Sequence, residues 1–221
     1  MGIAFFDLDK TLLDINSARL WMRWQRKQQR VSFWQTLQAT YWLTLYHLGF
    51  AGVESAVRQA VRCNFAGTSQ KEILQQVKTF YTEELHNKYR PKAMQVLQQQ
   101  RSLGRRLVLL TSALQELAEL VMEDLHLDDC LCTRLQVDTK GNYTGQVVEP
   151  MCFGKGKLQL AQDFADKNQT TLKECVFYTD SVWDLPVLQQ VGNPVVVNPD
   201  PNLRRKARRQ GWPIEDWGKS V

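Results

Sequence analysis

Acidic and hydroxyl side chains follow short apolar runs at three places in this 221-residue sequence, and at a fourth place a lysine opens a predicted helix after a Gly-Lys-Gly segment. Together they offer carboxylates, one ammonium group and hydroxyls, and the residues are Asp7, Asp9, Thr11, Thr111, Ser112, Lys157, Asp180 and Asp184. A carboxylate can attack an electrophile or bind a divalent cation, and an ammonium group or a hydroxyl can hold an anion. The residue types therefore point to chemistry on an anionic substrate.

The apolar runs predict the elements that must bring these residues together. Four runs are continuous rather than alternating, as in strands buried on both faces of a parallel sheet, and they cover residues 3–6, 107–110, 176–178 and 195–197. A weaker fifth run covers residues 130–137 and is followed by a turn signal at 138–142, which predicts a small hairpin. Helical spacing between the runs, for example over 113–126, favours an α/β fold with a Rossmann-like, doubly wound parallel sheet.

The segment between the first two runs has a different character. Residues 16–85 contain no convincing strand and include Trp21, Trp24, Trp34 and Trp42. We interpret them as an all-helical insertion. The predicted domains are then a core of residues 1–15 and 86–221, and a helical cap of residues 16–85.

Composition excludes several classes of protein. A hydrophobic fraction of 43% and a net charge of +5 are typical of a globular domain and give no reason to expect a nucleic-acid partner. Five cysteines without zinc-type spacing, and no secretory pattern at the N-terminus, indicate a cytoplasmic protein. The aromatic-rich residues 34–50 could touch a membrane surface, but the core of a small cap or a dimer contact is favoured. We expect a monomer or a homodimer.

The order and spacing of four motifs resemble those of the haloacid dehalogenase-like hydrolase superfamily, in its branch related to phosphoserine phosphatase. The motifs are D-x-D-x-T from Asp7, a hydroxyl at Thr111, a lysine at Lys157, and D-S-x-x-D from Asp180. The resemblance implies a catalytic core with a cap inserted after the first motif. It also implies a Mg²⁺-dependent phosphomonoesterase that hydrolyses a phosphorylated small molecule through an aspartyl-phosphate.

The resemblance also implies the catalytic roles. Asp7 attacks phosphorus, and Asp9 acts first as general acid and then as general base. Lys157 supplies positive charge to the nucleophile and to the phosphoryl group. Thr111 binds the phosphoryl oxygens, with help from Ser112.

The same resemblance supplies a magnesium site. Asp7, Asp180 and the backbone carbonyl of Asp9 are the expected ligands, completed by water. Asp184 and Thr11 are expected to support these ligands without binding the metal themselves.

Two assignments have competitors. Asp9-Lys10-Thr11 also resembles the phosphorylation motif of P-type ion pumps, in which Asp9 would be the nucleophile, but the first apolar run ends directly before Asp7 and favours Asp7. Lys155 competes with Lys157, and the spacing implied by the resemblance, with Gly154 three residues before the lysine, favours Lys157.

The substrate is the least determined part. Asn16 occupies the position at which phosphoserine phosphatases use a glutamate to hold an ammonium group, and Arg58 or Arg62 could bind a substrate carboxylate. A phosphorylated alcohol without an ammonium group remains open, as does a phospholipid headgroup or a lipid phosphate. A phosphotransferase and a non-catalytic ligand-binding protein on the same scaffold are further alternatives.

Overall fold

A seven-stranded sheet forms the centre of the computed structural model, which describes residues 2–28 and 53–220. Its strands are β1 (Ile3–Phe6), β2 (Arg106–Leu114), β3 (Asp129–Val137), β4 (Tyr143–Val148), β5 (Val176–Thr179), β6 (Asn193–Val197) and β7 (Ile214–Glu215). Their order across the sheet is β4-β3-β2-β1-β5-β6-β7. All neighbouring pairs are parallel except the hairpin of β3 and β4.

Hydrophobic layers cover both faces of the sheet. All four residues of β1 are buried, and alternate residues of a strand point to opposite faces. Ala4 and Phe6 accordingly join one apolar cluster, whereas Ile3 and Phe5 join another. This two-sided burial explains why the strand sequences are continuously apolar, and it confirms the predicted α/β, doubly wound fold.

Helices connect the strands. The described residues between β1 and β2 form α1 (Ser17–Lys27), α2 (Val53–Phe65), α3 (Gln70–Phe80) and α4 (Pro91–Ser102), with no strand of the sheet among them. The later helices are α5 (Gln115–Asp124), α6 (Gly154–Lys167), α7 (Leu185–Leu188) and α8 (Pro201–Gln210). None of the described helices is long and apolar enough to cross a bilayer. Trp34, Trp42 and the aromatic segment 34–50 lie outside the described residues.

The inserted helices pack against the β3–β4 hairpin. Val61 and Ile73 share a small apolar cluster with Tyr143 of β4. Gly145 permits the close approach of α2, since a Cβ there would lie 2.9 Å from the Cβ of Ala66. Gly145 also has a φ of 80°, a conformation that other residues rarely adopt. The hairpin therefore supports the helices that follow β1 in sequence.

Three boundaries differ from the sequence-based prediction. Strand β2 continues to Leu114 through a register shift, so Thr111 and Ser112 lie within the strand rather than after it. Helix α6 begins at Gly154, which places Lys157 inside its first turn rather than at its start. The two-residue strand β7 was not predicted, because two residues are too few to show a pattern.

Candidate active site

The first and fifth strands bring two aspartates to the same edge of the sheet. Asp7 directly follows β1, and its backbone N–H donates to the Tyr178 carbonyl at 2.9 Å, which extends the β1–β5 pairing by one residue. Asp180 directly follows β5. Because the two strands are parallel neighbours, their carboxyl ends coincide, and a doubly wound sheet binds ligands at this edge. Both aspartates are buried.

A buried lysine joins Asp7 to a third aspartate. Lys157 is 3% exposed, and its Nζ lies 2.8 Å from Oδ1 of Asp7 and 2.8 Å from Oδ2 of Asp184. The hydroxyl of Thr179 donates to the same Asp184 oxygen at 2.6 Å. Asp184 therefore fixes the ammonium group, and the ammonium group fixes one oxygen of Asp7.

Burial and crowded charge shift the proton affinities of these groups. Burial raises the pKa of Asp7 to about 7, against the lowering effect of Lys157. Burial, reinforced by repulsion from Asp7, holds the pKa of Asp180 well above its usual range. Burial lowers the pKa of Lys157, but attraction to Asp184 and Asp7 outweighs it and raises the pKa overall. The side chain of Lys157 therefore stays positively charged. Its single charge does not neutralise the carboxylates of both Asp7 and Asp184.

The loop after β1 connects Asp9 to the first inserted helix. Asp9 accepts hydrogen bonds from the Ser17 backbone N–H at 2.8 Å and from Nδ2 of Asn16 at 3.2 Å. Asn16 also caps α1, because its Oδ1 accepts from the Arg19 backbone N–H. Burial raises the pKa of Asp9, although the bonds from Ser17 oppose that rise. A carboxyl group with a raised pKa is suited to giving up a proton near neutral pH.

A cavity of about 260 Å³ opens at this edge of the sheet. The predicted site residues that line it are Asp7, Asp9, Asn16, Ser112, Lys157, Asp180 and Asp184. Lys10, Phe153 and Trp183 also line it, and none of them was assigned a role from the sequence. The geometry thus unites residues that are up to 177 positions apart in the sequence, from Asp7 to Asp184.

Four predicted residues lie outside the cavity lining. Thr111 is buried, and its hydroxyl accepts from the Ala113 backbone N–H at 3.1 Å. Thr11 is buried and its hydroxyl has no hydrogen-bond partner among the described residues. On α2, Arg58 forms an ion pair with Glu149, and Arg62 is exposed.

Asp200 is a site residue that sequence reasoning missed. Its backbone N–H donates to the Asp180 carbonyl at 3.1 Å, and its Oδ2 accepts from the Val182 backbone N–H at 3.0 Å. Its Oδ1 caps α8 by accepting from the Asn202 and Leu203 backbone N–H groups. Asp200 thereby fixes the loop that carries Asp180. The available signal was an aspartate directly before a proline, a common helix start.

The residues at this edge fit a magnesium ion. The carboxylate of Asp180 accepts no hydrogen bond from a described residue, although it is buried beside Asp7. Among residues 2–28 and 53–220, no three His, Cys, Asp or Glu side chains are grouped so as to hold a metal. The donors at this edge are two carboxylates, Asp7 and Asp180, and the Asp9 carbonyl, and Mg²⁺ prefers oxygen ligands and keeps several waters.

Comparison with known proteins identifies the family. A family model described as haloacid dehalogenase-like hydrolase matches residues 4–189. The chain belongs to this family of hydrolases. A Mycobacterium tuberculosis protein named phosphoserine phosphatase is 30% identical to this haloacid dehalogenase-like hydrolase, over 97% of this chain and 70% of its own length. The histidinol-phosphatase of Neisseria meningitidis serogroup C is 26% identical, over 96% of this chain and 97% of its own length.

A solved structure confirms the fold of this haloacid dehalogenase-like hydrolase. The crystal structure of a protein with unknown function from Bordetella pertussis Tohama I matches with a TM-score of 0.88 at 23% identity. The match covers 98% of this chain and 99% of that one. The relatives confirm the resemblance to the phosphoserine phosphatase branch, and the chain is a phosphatase that acts on a phosphate ester.

Proposed function

We propose that this hydrolase is a Mg²⁺-dependent phosphomonoesterase that acts on a small phosphorylated molecule through an aspartyl-phosphate on Asp7. The observation that carries the proposal is the pair of 2.8 Å contacts from buried Lys157 to Asp7 and Asp184. A buried ammonium group that fixes one carboxylate oxygen leaves the other oxygen of Asp7 free to attack. It also places positive charge where the phosphoryl oxygens gain negative charge.

The first half of the reaction uses Asp7 and Asp9. The free carboxylate oxygen of Asp7 forms a bond to phosphorus, and the bond from phosphorus to the ester oxygen breaks. Asp9 gives its proton to the leaving oxygen, which departs as an alcohol. Burial raises the pKa of Asp9 and so favours the protonated form that this role needs.

The second half returns the enzyme to its starting state. Asp9, now a carboxylate, accepts a proton from a water molecule whose oxygen attacks the phosphorus on Asp7. The bond from phosphorus to the Asp7 oxygen breaks, and inorganic phosphate leaves. Thr111 was predicted to bind the phosphoryl oxygens with help from Ser112; because only Ser112 lines the cavity, we propose that Ser112 makes this contact and that Thr111 supports the neighbouring backbone of β2.

Magnesium would be held by Asp7, Asp180 and the Asp9 carbonyl. When bound, it would neutralise the charge of the phosphoryl group and the aspartates, which otherwise repel each other. Asp184 and Asp200 would support this set without binding the metal, through Lys157 and through the loop after β5.

The insertion of residues 16–85, whose described part is helical, is proposed to be a cap that selects the substrate. Asn16 joins cap and core directly, because it starts α1 and also donates to Asp9. Phosphoserine phosphatase and histidinol-phosphatase are the names of two relatives with different substrates, so neither name transfers to this chain. The neutral amide of Asn16 favours a phosphorylated alcohol that has no ammonium group over phosphoserine itself.

Phosphate release from a panel of phosphomonoesters tests the proposal. The panel contains phosphoserine, histidinol phosphate, sugar phosphates, phosphocholine and a lysophospholipid phosphate, each assayed with Mg²⁺ and with EDTA. Wild type is compared with Asp7→Asn and with Asp163→Asn, a matched control on the exposed side of α6. We expect Mg²⁺-dependent release that Asp7→Asn abolishes and Asp163→Asn retains.

Two results would contradict the proposal. Turnover that persists in EDTA would remove the metal from the reaction, and turnover that survives in Asp7→Asn would remove the nucleophile. A folded wild type that binds Mg²⁺ but releases no phosphate from any ester would favour the ligand-binding alternative.

A further inference from the structure

A buried arginine holds the loop that carries Asp9 through hydrogen bonds. Arg90 is 6% exposed and lies where the chain returns from the inserted helices to the core. Its Nε and Nη2 donate to the Lys10 carbonyl at 3.2 and 3.1 Å, and its Nη1 donates to the Gly218 carbonyl. One side chain therefore links three segments that are 80 and 128 positions apart.

Lys10, whose carbonyl accepts these hydrogen bonds, has an unfavourable backbone conformation. Lys10 has φ 58° and ψ 0°, in the left-handed region that only glycine enters without cost. Its N–H donates to the Ile15 carbonyl at 3.0 Å, so both of its backbone polar groups are held. The Asp9–Lys10 peptide, which includes the Asp9 carbonyl, takes its orientation from this turn.

Gly218, which also accepts from Arg90, lies in a segment whose neighbouring residues contact the core. Ser220 donates to Oδ2 of Asp14 through its backbone N–H at 2.8 Å and its hydroxyl at 2.6 Å. Trp217 is 1% exposed, and its ring centroid lies 5.5 Å from that of Tyr178 on β5. We call residues 216–220 the clasp segment. Through Trp217 it packs against β5, the strand that leads to Asp180.

We propose that Arg90, backed by the clasp segment, is a positioning residue that holds Lys10 in its left-handed conformation and so sets the orientation of Asp9. The expected effect of Arg90 on turnover rests on the proposed function. Its expected effect on the loop does not, because the hydrogen bonds of Arg90 involve no substrate.

The first test compares Arg90→Met with Arg101→Met. Arg101 also donates to a backbone carbonyl, that of His126 at 2.8 Å, but it is exposed and contacts no site residue. We expect Arg90→Met to lower kcat about 10- to 100-fold with little change in KM, because small displacements of catalytic groups have effects of this size. Hydrogen exchange of residues 8–15 should become faster in Arg90→Met and stay unchanged in Arg101→Met.

Lys10→Gly separates a positioning role from a merely structural one. Glycine adopts the left-handed conformation without the penalty that lysine carries. The loss of kcat on replacing Arg90 should therefore be about fivefold smaller in the Lys10→Gly background than in wild type. A role confined to overall stability would give the same loss in both backgrounds.

The outcomes are distinguishable. Arg90→Met with a lowered Tm but normal kcat and normal loop exchange would overturn the proposal. If Arg90→Met does not fold, Arg90→Lys is measured instead, because its single ammonium group cannot reproduce the paired bonds to Lys10 together with the bond to Gly218. Exchange of residues 8–15 and a kcat that both match wild type in Arg90→Lys would overturn the proposal equally. A wild type without phosphatase turnover would refute the proposed function, while the exchange of residues 8–15 would still test Arg90.

Discussion

Replacing Lys157 by methionine should damage both stability and turnover. The substitution removes the ammonium group that contacts Asp7 and Asp184 at 2.8 Å each, in a site where the lysine is 3% exposed. Asp184 keeps the Thr179 hydroxyl, but Asp7 keeps no side-chain donor among the described residues. Two buried carboxylates are then left without their shared cation.

The size of the effect follows from that loss. Breaking a buried ion pair by removing one partner costs about 3–5 kcal/mol of unfolding free energy. At about 2–4 °C per kcal/mol for a chain of this size, Tm should fall by roughly 6–20 °C. Turnover should fall by about 10²–10³-fold, as when an electrostatic donor is removed from an active site.

Lys155→Met is the matched control, because Lys155 lies in the same helix turn but is exposed. Thermal unfolding is followed in EDTA, and kcat is measured with Mg²⁺ on the best ester of the panel. Asp184→Asn added to Lys157→Met should recover part of the lost Tm, because it removes one unpaired charge, without restoring kcat. If Lys157→Met matches Lys155→Met in Tm and kcat, the reasoning about the buried lysine is refuted.

Three further predictions concern the same site. Asn16→Asp should preserve the cap of α1 but lower kcat about tenfold, because it places a like charge against Asp9. Asn16→Ala should mainly cost about 1 kcal/mol of unfolding free energy through loss of the cap. Measuring kcat and Tm for both variants separates the two effects. Thr179→Val should lower kcat without changing KM, because it removes the hydroxyl that donates to Asp184. Thr144→Val, on the exposed hairpin, is the control, and equal kcat values in the two variants would refute the prediction. EDTA should abolish turnover and Mg²⁺ restore it, while Ca²⁺, which prefers longer bonds and more ligands, should restore much less; full recovery with Ca²⁺ would argue against an octahedral site.

The strands and the catalytic edge could be predicted because their causes are local. Strand β1 occupies the residues expected from its apolar run, since burial on both faces leaves no polar position in it. Asp7 and Asp180 could be placed together because each follows such a run, and parallel strands end at the same edge. The spacing of the family motifs then predicted that Lys157, from a third part of the sequence, lies at the same edge as these two aspartates.

Other features act through the backbone and leave no side-chain pattern. Arg90 contacts two carbonyl oxygens that are distant in sequence, and any residue could supply a carbonyl. Asp200 likewise acts on the N–H of Val182 and the carbonyl of Asp180. Ser112, which lines the cavity, lies in the part of β2 between Leu110 and Leu114 where the register against β3 shifts, and the apolar run did not reveal that shift.

The most direct test of the account is to identify the residue that becomes phosphorylated. Wild type and Asp9→Asn are quenched with acid during turnover of p-nitrophenyl phosphate, whose leaving group needs no proton from Asp9, and the peptide containing residues 7–11 is sequenced by mass spectrometry. The account predicts a phosphoryl group on Asp7 in both proteins, at higher occupancy in Asp9→Asn because the base for the second step is missing. A phosphoryl group on Asp9 in wild type and none in Asp9→Asn would contradict it.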